Sequence, residues 1–159
     1  MSPAKGEIWY FAYGSNMSAA TFRQGRGIEP QATLPVRIPG WTLTFEIYGV
    51  PYREPAFASI TPMTAMSTNL LYLEKQKEVH GVAYLVTKKQ YIDIVTSEGG
   101  GIAYGQAELL AEHVIVQDKN MGKKFEPFTV MTLITAFRCS PPRFPSLRYK
   151  VSCLLSTNV

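Results

Sequence analysis

The sequence predicts an α+β domain built on a small, strongly curved mixed β-sheet or barrel with a few short flanking helices. Three observations lead there. Short strand-like runs follow one another along the chain, and the two short helical segments between them set up no strand–helix–strand rhythm. Gly 12, Pro 11, Tyr 9 and Phe 8 describe a turn-rich, aromatic-rich chain rather than a helical bundle. A length of 159 residues, 46% apolar and 18% charged, suits one domain spanning 1–159 with enough apolar surface for a packed core.

Ile8–Tyr13 is an apolar strand halted by Gly14-Ser15-Asn16. Ser18 then stands where a cap would open a brief helix through Arg23 or Gln24. Gln31–Arg37 and Trp41–Tyr48 read as strands, and Pro39-Gly40 between them predicts a hairpin. Tyr48–Pro55 reads as a loop, and Ala56–Thr61 as a short strand ended by Pro62. Residues 63–79 carry no clear period. Val79–Val86 alternates as a strand does. Thr87 opens the clearest helix, with Gln90 three residues on as the partner in a capping box. Tyr91, Ile94 and Val95 share its apolar face, and Gly99-Gly100-Gly101 ends it. Gln106–Gln117 and Phe125–Phe137 are long strand candidates joined by a polar turn at Asp118–Lys124. Ser140-Pro141-Pro142 and Phe144-Pro145 make a rigid segment after them.

Composition removes several function classes. No apolar run approaches the roughly 18 residues of a membrane span, and the start passes from charged residues into a strand without a signal-peptide core. A cytoplasmic protein without a membrane partner is expected. Cys139 and Cys153 form neither a disulfide framework nor a zinc spacing, and His80 and His113 stand alone in apolar surroundings. No metal site is expected from them. The net charge of +4 is spread over single and paired basic residues, without the stripe a nucleic-acid binder presents. The last third is lopsided: residues 119–159 hold seven basic residues against Glu126 alone. That reads as a solvated face, or else as a surface for an anionic partner.

Two constellations carry chemistry. Tyr13-Gly14-Ser15-Asn16 lies between a strand and a helix start. There Gly14 permits positive φ, and successive N–H groups form a nest suited to a carboxylate. The same loop also reads as a plain turn in which Asn16 or Ser18 caps a helix. The second is Ser97-Glu98-Gly99-Gly100-Gly101. Glu98 sits at the negative end of the helix dipole beside glycines that raise no side-chain wall, which suits a carboxylate that relays protons near neutral pH. An exposed helix-end glutamate is the competing reading. A Ser15 nucleophile fails, because the surrounding residues form no G-x-S-x-G elbow and neither histidine has a partner context.

FAYGSNM near the N-terminus, then HGVAY, then a helix ending SEGGGIAYG resembles the γ-glutamylcyclotransferase family in order and spacing. The resemblance extends to FASIT at 57–61 and SPPRFPSLRYK at 140–150, so it covers nearly the whole chain. YGSN rather than YGSL is similar to the broader branch of the family rather than to its glutathione-specific members. The chain also looks similar to fungal members that act in sulfur-containing secondary metabolism of the gliotoxin type.

The resemblance implies a cofactor-independent enzyme of the family's fold that turns a γ-glutamyl amide into 5-oxoproline and a free amine. Glu98 would be the acid and base. The loop of Tyr13, Gly14, Ser15 and Asn16 would hold the substrate's α-carboxylate, beside Gly99. Tyr104 and Tyr149 would line the pocket. A small-molecule γ-glutamyl substrate and a homodimer are implied as partners. Two departures stand out. A family tyrosine is replaced by Thr132, and the family continues past Tyr149 with a helical segment where this chain ends at Val159. On those departures rests a second expectation, a binding module that grips a γ-glutamyl or other carboxylate ligand without turnover.

Overall fold

β1 (Glu7–Ala12) is buried on both faces, which is why its sequence runs apolar without alternating. Trp9, Phe11 and Tyr13 join one core cluster, while Tyr10 and Ala12 join another. The computed structural model describes residues 2–18, 20–50, 54–65, 78–98, 102–114, 126–135, 137 and 144–148. Cys139, Cys153, Gly99–Gly101, Tyr149, the Asp118–Lys124 turn and Ser140–Pro142 lie outside the described residues.

A closed barrel forms in the order β1, β5 (Glu78–Thr87), β2 (Ala32–Pro39), β6 (Tyr104–His113) and β7 (Phe128–Thr135). Its pairings are antiparallel except where β7 closes on β1 in parallel, with Tyr10 opposite Met131. Thr132 sits at this seam, fully buried, and its hydroxyl donates to the Phe11 carbonyl at 2.9 Å.

The hairpin expected across Pro39-Gly40 does not form. Gly40 does turn the chain, at φ +74°, but both hydrogen-bonding edges of β2 are already taken, by β5 along its length and by β6 at Val36 and Arg37. The chain therefore leaves the barrel, and β3 (Trp41–Val50) pairs with β4 (Glu54–Pro62) in a separate two-stranded sheet. The loop read over Tyr48–Pro55 shrinks accordingly. Glu54, buried at the head of β4, accepts hydrogen bonds from the Ser146 amide at 2.8 Å and from its hydroxyl, tying the 144–148 segment to this sheet.

The brief helix after the first loop is also built differently. A 3-10 turn covers Ser15–Met17, and a π-helical turn covers Thr21–Gly25 with Ala20 at its N-cap. Ser18 lies before that cap, and its carbonyl accepts from the Phe22 amide at 3.0 Å. α1 (Lys88–Ser97) follows expectation. Thr87 and Gln90 complete the reciprocal capping box, and Tyr91 and Ile94 are buried.

The first core cluster joins the barrel to the β3–β4 sheet through Ala58 and Ile60, with Trp41, Leu43 and Phe45 packed against it. The second lies beneath α1 and the two turns, where Phe22 stacks on Tyr84 with ring centroids 4.3 Å apart. Gly81 on β5 allows the end of β1 to approach closely. A Cβ there would stand 2.2 Å from the Ala12 carbonyl and 2.5 Å from Phe11 Cε2. His80 pairs its Nε2 with Glu78 at 2.8 Å on an exposed face, and His113 ends β6. Among the described residues, no helix is long and apolar enough to cross a membrane.

Candidate active site

Three elements converge on one cavity of about 430 Å³. The loop after β1 brings Tyr13, Ser15 and Asn16 to its wall, the C-terminal end of α1 brings Ser97 and Glu98, and the π-helical turn brings Arg26. Burial of α1 through Tyr91 and Ile94 fixes where its last residue falls. Glu98 is the C-cap of that helix, its amide donating to the Ile94 carbonyl at 3.1 Å. Glu98 thus does not stand in open water: its side chain keeps 23% exposure and contacts the first loop.

Asn16 organises the polar part of the wall. Its side-chain amide donates to Glu98 Oε1 at 3.0 Å and to the Tyr10 hydroxyl at 3.3 Å, while its oxygen accepts from Arg26 Nη2 at 3.1 Å. Nitrogen towards the anion and oxygen towards the cation leave the amide one sensible orientation. Arg26 closes the ring. Its Nη2 pairs with Glu98 Oε1, and its Nη1 donates to the Ser97 hydroxyl. Among the described residues, no hydrogen bond engages Glu98 Oε2.

The cation is a finding of the structure. The end of α1 is electrically negative, and the guanidinium offsets it. Arg26 reaches the carboxylate as the C-cap of the π turn, a rare geometry found often at functional sites. Gly27 follows at φ +63° and donates to the Arg23 carbonyl at 2.9 Å. The buried ring of Phe22, stacked on Tyr84, anchors the turn. Tyr10 lies beneath Asn16. Burial pushes its phenol well above the ordinary value, and the Asn16 hydrogen bond opposes this only in part, so it stays protonated.

Gly14 does not play the part expected of it. Its φ is −120°, not positive, and its carbonyl accepts from the Met17 amide at 3.0 Å as the 3-10 turn closes. The tight turn is made by hydrogen bonding rather than by left-handed backbone. Tyr13 lines the cavity with its hydroxyl donated to the Leu133 carbonyl. Tyr104 also lines it, 3.5 Å from the Ala58 carbonyl. Thr132, fully buried in the seam, is not among the lining residues.

Sequence reading missed Arg26, Tyr10 and the β3–β4 wall. Ile47, Tyr48, Phe57 and Ala58 supply an apolar side to the cavity. A lone arginine before a glycine carries no local signal. Tyr10 reads as core, which it also is. Among the described residues, no cluster of histidine, cysteine or acidic side chains could hold a metal ion.

No protein-family model matches the chain. It is 42% identical over 144 residues to the γ-glutamyl cyclotransferase aclK of Aspergillus oryzae, covering 89% of this chain and 52% of that protein. The chain thus spans about half the length of this relative. It is 33% identical over 153 residues to the γ-glutamyl cyclotransferase verK of Clonostachys rogersoniana, covering 92% of this chain and 83% of that one. Among solved structures, one described as a γ-glutamyl cyclotransferase superposes with a TM-score of 0.68 at 16% identity, over 94% of this chain and 78% of the other. The shared barrel, together with sequence identity along most of the Clonostachys protein, makes this chain a member of the γ-glutamyl cyclotransferase family.

Proposed function

We propose that the chain cyclises γ-glutamyl amides to 5-oxoproline and releases the amine, with Glu98 as the relay for protons. The observation that carries this reading is the carboxylate of Glu98, oriented by Asn16 on the wall of a cavity large enough for a small amide. The substrate supplies its own nucleophile. Its α-ammonium gives a proton to Glu98, the freed amine attacks the γ-carbonyl carbon, and a tetrahedral centre forms. Collapse breaks the bond to the amide nitrogen. Both protons lost by the α-nitrogen end on the departing nitrogen, so the carboxylate is regenerated and no external acid is consumed.

Ring closure is intramolecular, so a pocket that holds the glutamyl chain folded removes much of the entropic barrier. The amide and hydroxyl groups of the Ser15–Asn16 turn belong to the glutamyl head in this reading, and the family resemblance assigns Gly99 and Tyr149, outside the described residues, to the same substrate. Ile47, Tyr48 and Phe57 supply an apolar wall for the leaving amine, which belongs to a γ-glutamyl amino acid or a glutathione-derived adduct.

Incubating the protein with γ-glutamyl amino acids, glutathione and glutathione S-adducts, and following 5-oxoproline by mass spectrometry, tests this. Product from at least one class supports it. Thermal stabilisation by these compounds with no product from any of them makes the chain a binding module instead.

A further inference from the structure

Arg26 is more than an orienting partner for Glu98. Its side chain keeps only 16% exposure, yet it lines the cavity, and its guanidinium forks between Glu98, Asn16 and Ser97. Its Nε is buried with no hydrogen-bond partner among the described residues. A cation of this kind carries a desolvation cost that a structural ion pair alone recovers poorly. The guanidinium also occupies Glu98 Oε1, one of the two oxygens that an arriving ammonium would meet. Both difficulties disappear if the pair is a resting state that the substrate opens.

We propose that Arg26 is a specificity-determining residue that receives the α-carboxylate of the γ-glutamyl head, exchanging Glu98 for it. This rests on the reading of the preceding section. An α-amino acid head carries an ammonium and a carboxylate on one carbon, and the Arg26–Glu98 pair presents the complementary charges side by side on the cavity wall. On binding, the substrate carboxylate takes the guanidinium and the substrate ammonium takes Glu98. Each buried charge trades one partner for another, so neither is left unpaired. Release of Glu98 from the arginine coincides with arrival of the proton it must accept. The fork of the guanidinium suits a carboxylate in two-point contact, which a lysine ammonium does not reproduce.

The test compares L-γ-glutamyl-L-alanine with the same compound bearing a carboxamide in place of the glutamyl α-carboxylate, on wild type and Arg26→Gln. The ratio of kcat/KM values between the two substrates is formed for each protein, and the ratio of those ratios cancels the difference in amine basicity. Wild type is expected to favour the carboxylate, and Arg26→Gln to lose that preference by about 10- to 100-fold, mainly through KM, as for a charge-assisted hydrogen bond. An equal loss on both substrates overturns the proposal and leaves Arg26 a positioning residue. If Arg26→Gln does not fold, Arg26→Lys serves: a raised KM for the carboxylate substrate alone supports the proposal, and unchanged KM for both overturns it. If wild type releases no 5-oxoproline at all, the enzymatic reading fails separately. Arg26-dependent thermal stabilisation by the carboxylate compound alone would then uphold the site, and equal stabilisation by both compounds would overturn it.

Discussion

Asn16 and Glu98 stand 82 residues apart in the chain, yet a 3.0 Å hydrogen bond joins the amide of one to the carboxylate of the other. The bond couples the turn after β1 to the C-cap of α1. The site therefore depends on how firmly both elements are seated on β5, whose Val82–Thr87 half pairs with the whole of β1 and feeds directly into α1.

Seating of β1 on β5 depends on Gly81. A methyl group there meets the Ala12 carbonyl at 2.2 Å, backbone that cannot swing aside. Gly81→Ala is expected to cost about 1–3 kcal/mol, the range for overpacking a core, and to lower activity because Ala12 leads into the site loop. Urea denaturation gives the first, and turnover on the folded fraction the second. Unchanged stability would mean that the two strands leave room for a methyl group after all.

Thr132 is a seam residue rather than a pocket residue. Thr132→Val leaves the buried Phe11 carbonyl without this donor and is expected to cost about 1–3 kcal/mol, while KM stays close to wild type. Thr132→Tyr, which restores the residue that the family resemblance leads one to expect, has no space to enter and is expected to destabilise further rather than raise activity. Denaturation midpoints and steady-state kinetics on both variants separate the two roles.

The capping box holds the start of the helix whose end carries Glu98. Thr87→Ala removes the hydroxyl that accepts from the Gln90 amide at 3.2 Å and is expected to cost roughly 1 kcal/mol. A thermal melt measures it. The loss is expected in stability and not in KM, because the cap lies at the far end of α1 from the cavity.

Buried phenols set an alkaline limit. Burial pushes Tyr84 up from 10.0 to about 12, and it raises Tyr10 and Tyr91 as well. Unfolding lets each lose its proton at the ordinary value. Above pH 10 the native state therefore binds more protons than the unfolded one, and stability falls as pH rises. Below pH 10 both states keep these protons and the contribution is complete. Melting temperatures across pH 8–11 are expected to stay level and then drop, with a shallower drop in Tyr84→Phe. An identical alkaline slope in that variant contradicts this assignment.

Local signals alone make α1 legible in the sequence: a threonine and a glutamine three apart, then apolar residues at helical spacing. The curved mixed sheet is legible from many short strands without crossover rhythm. The β2–β3 hairpin is a misreading because Pro39-Gly40 specifies a turn but not which neighbours β2 already has, and β5 and β6 are far along the chain. Glu98 and the first loop are recognisable as a pair through family resemblance, while each alone is ambiguous. Arg26 is invisible because its position depends on a π turn, and nothing in TFRQGRG distinguishes that from an ordinary helix.

The most direct measurement is 5-oxoproline release by Glu98→Gln from a substrate that the wild-type protein turns over. The substitution keeps the shape and the Arg26 contact atom while removing the proton acceptor. A fall of about 10²- to 10⁴-fold is predicted, the usual worth of a general acid–base group, with substrate-induced thermal stabilisation retained. Turnover near the wild-type rate in a folded Glu98→Gln protein would contradict the account.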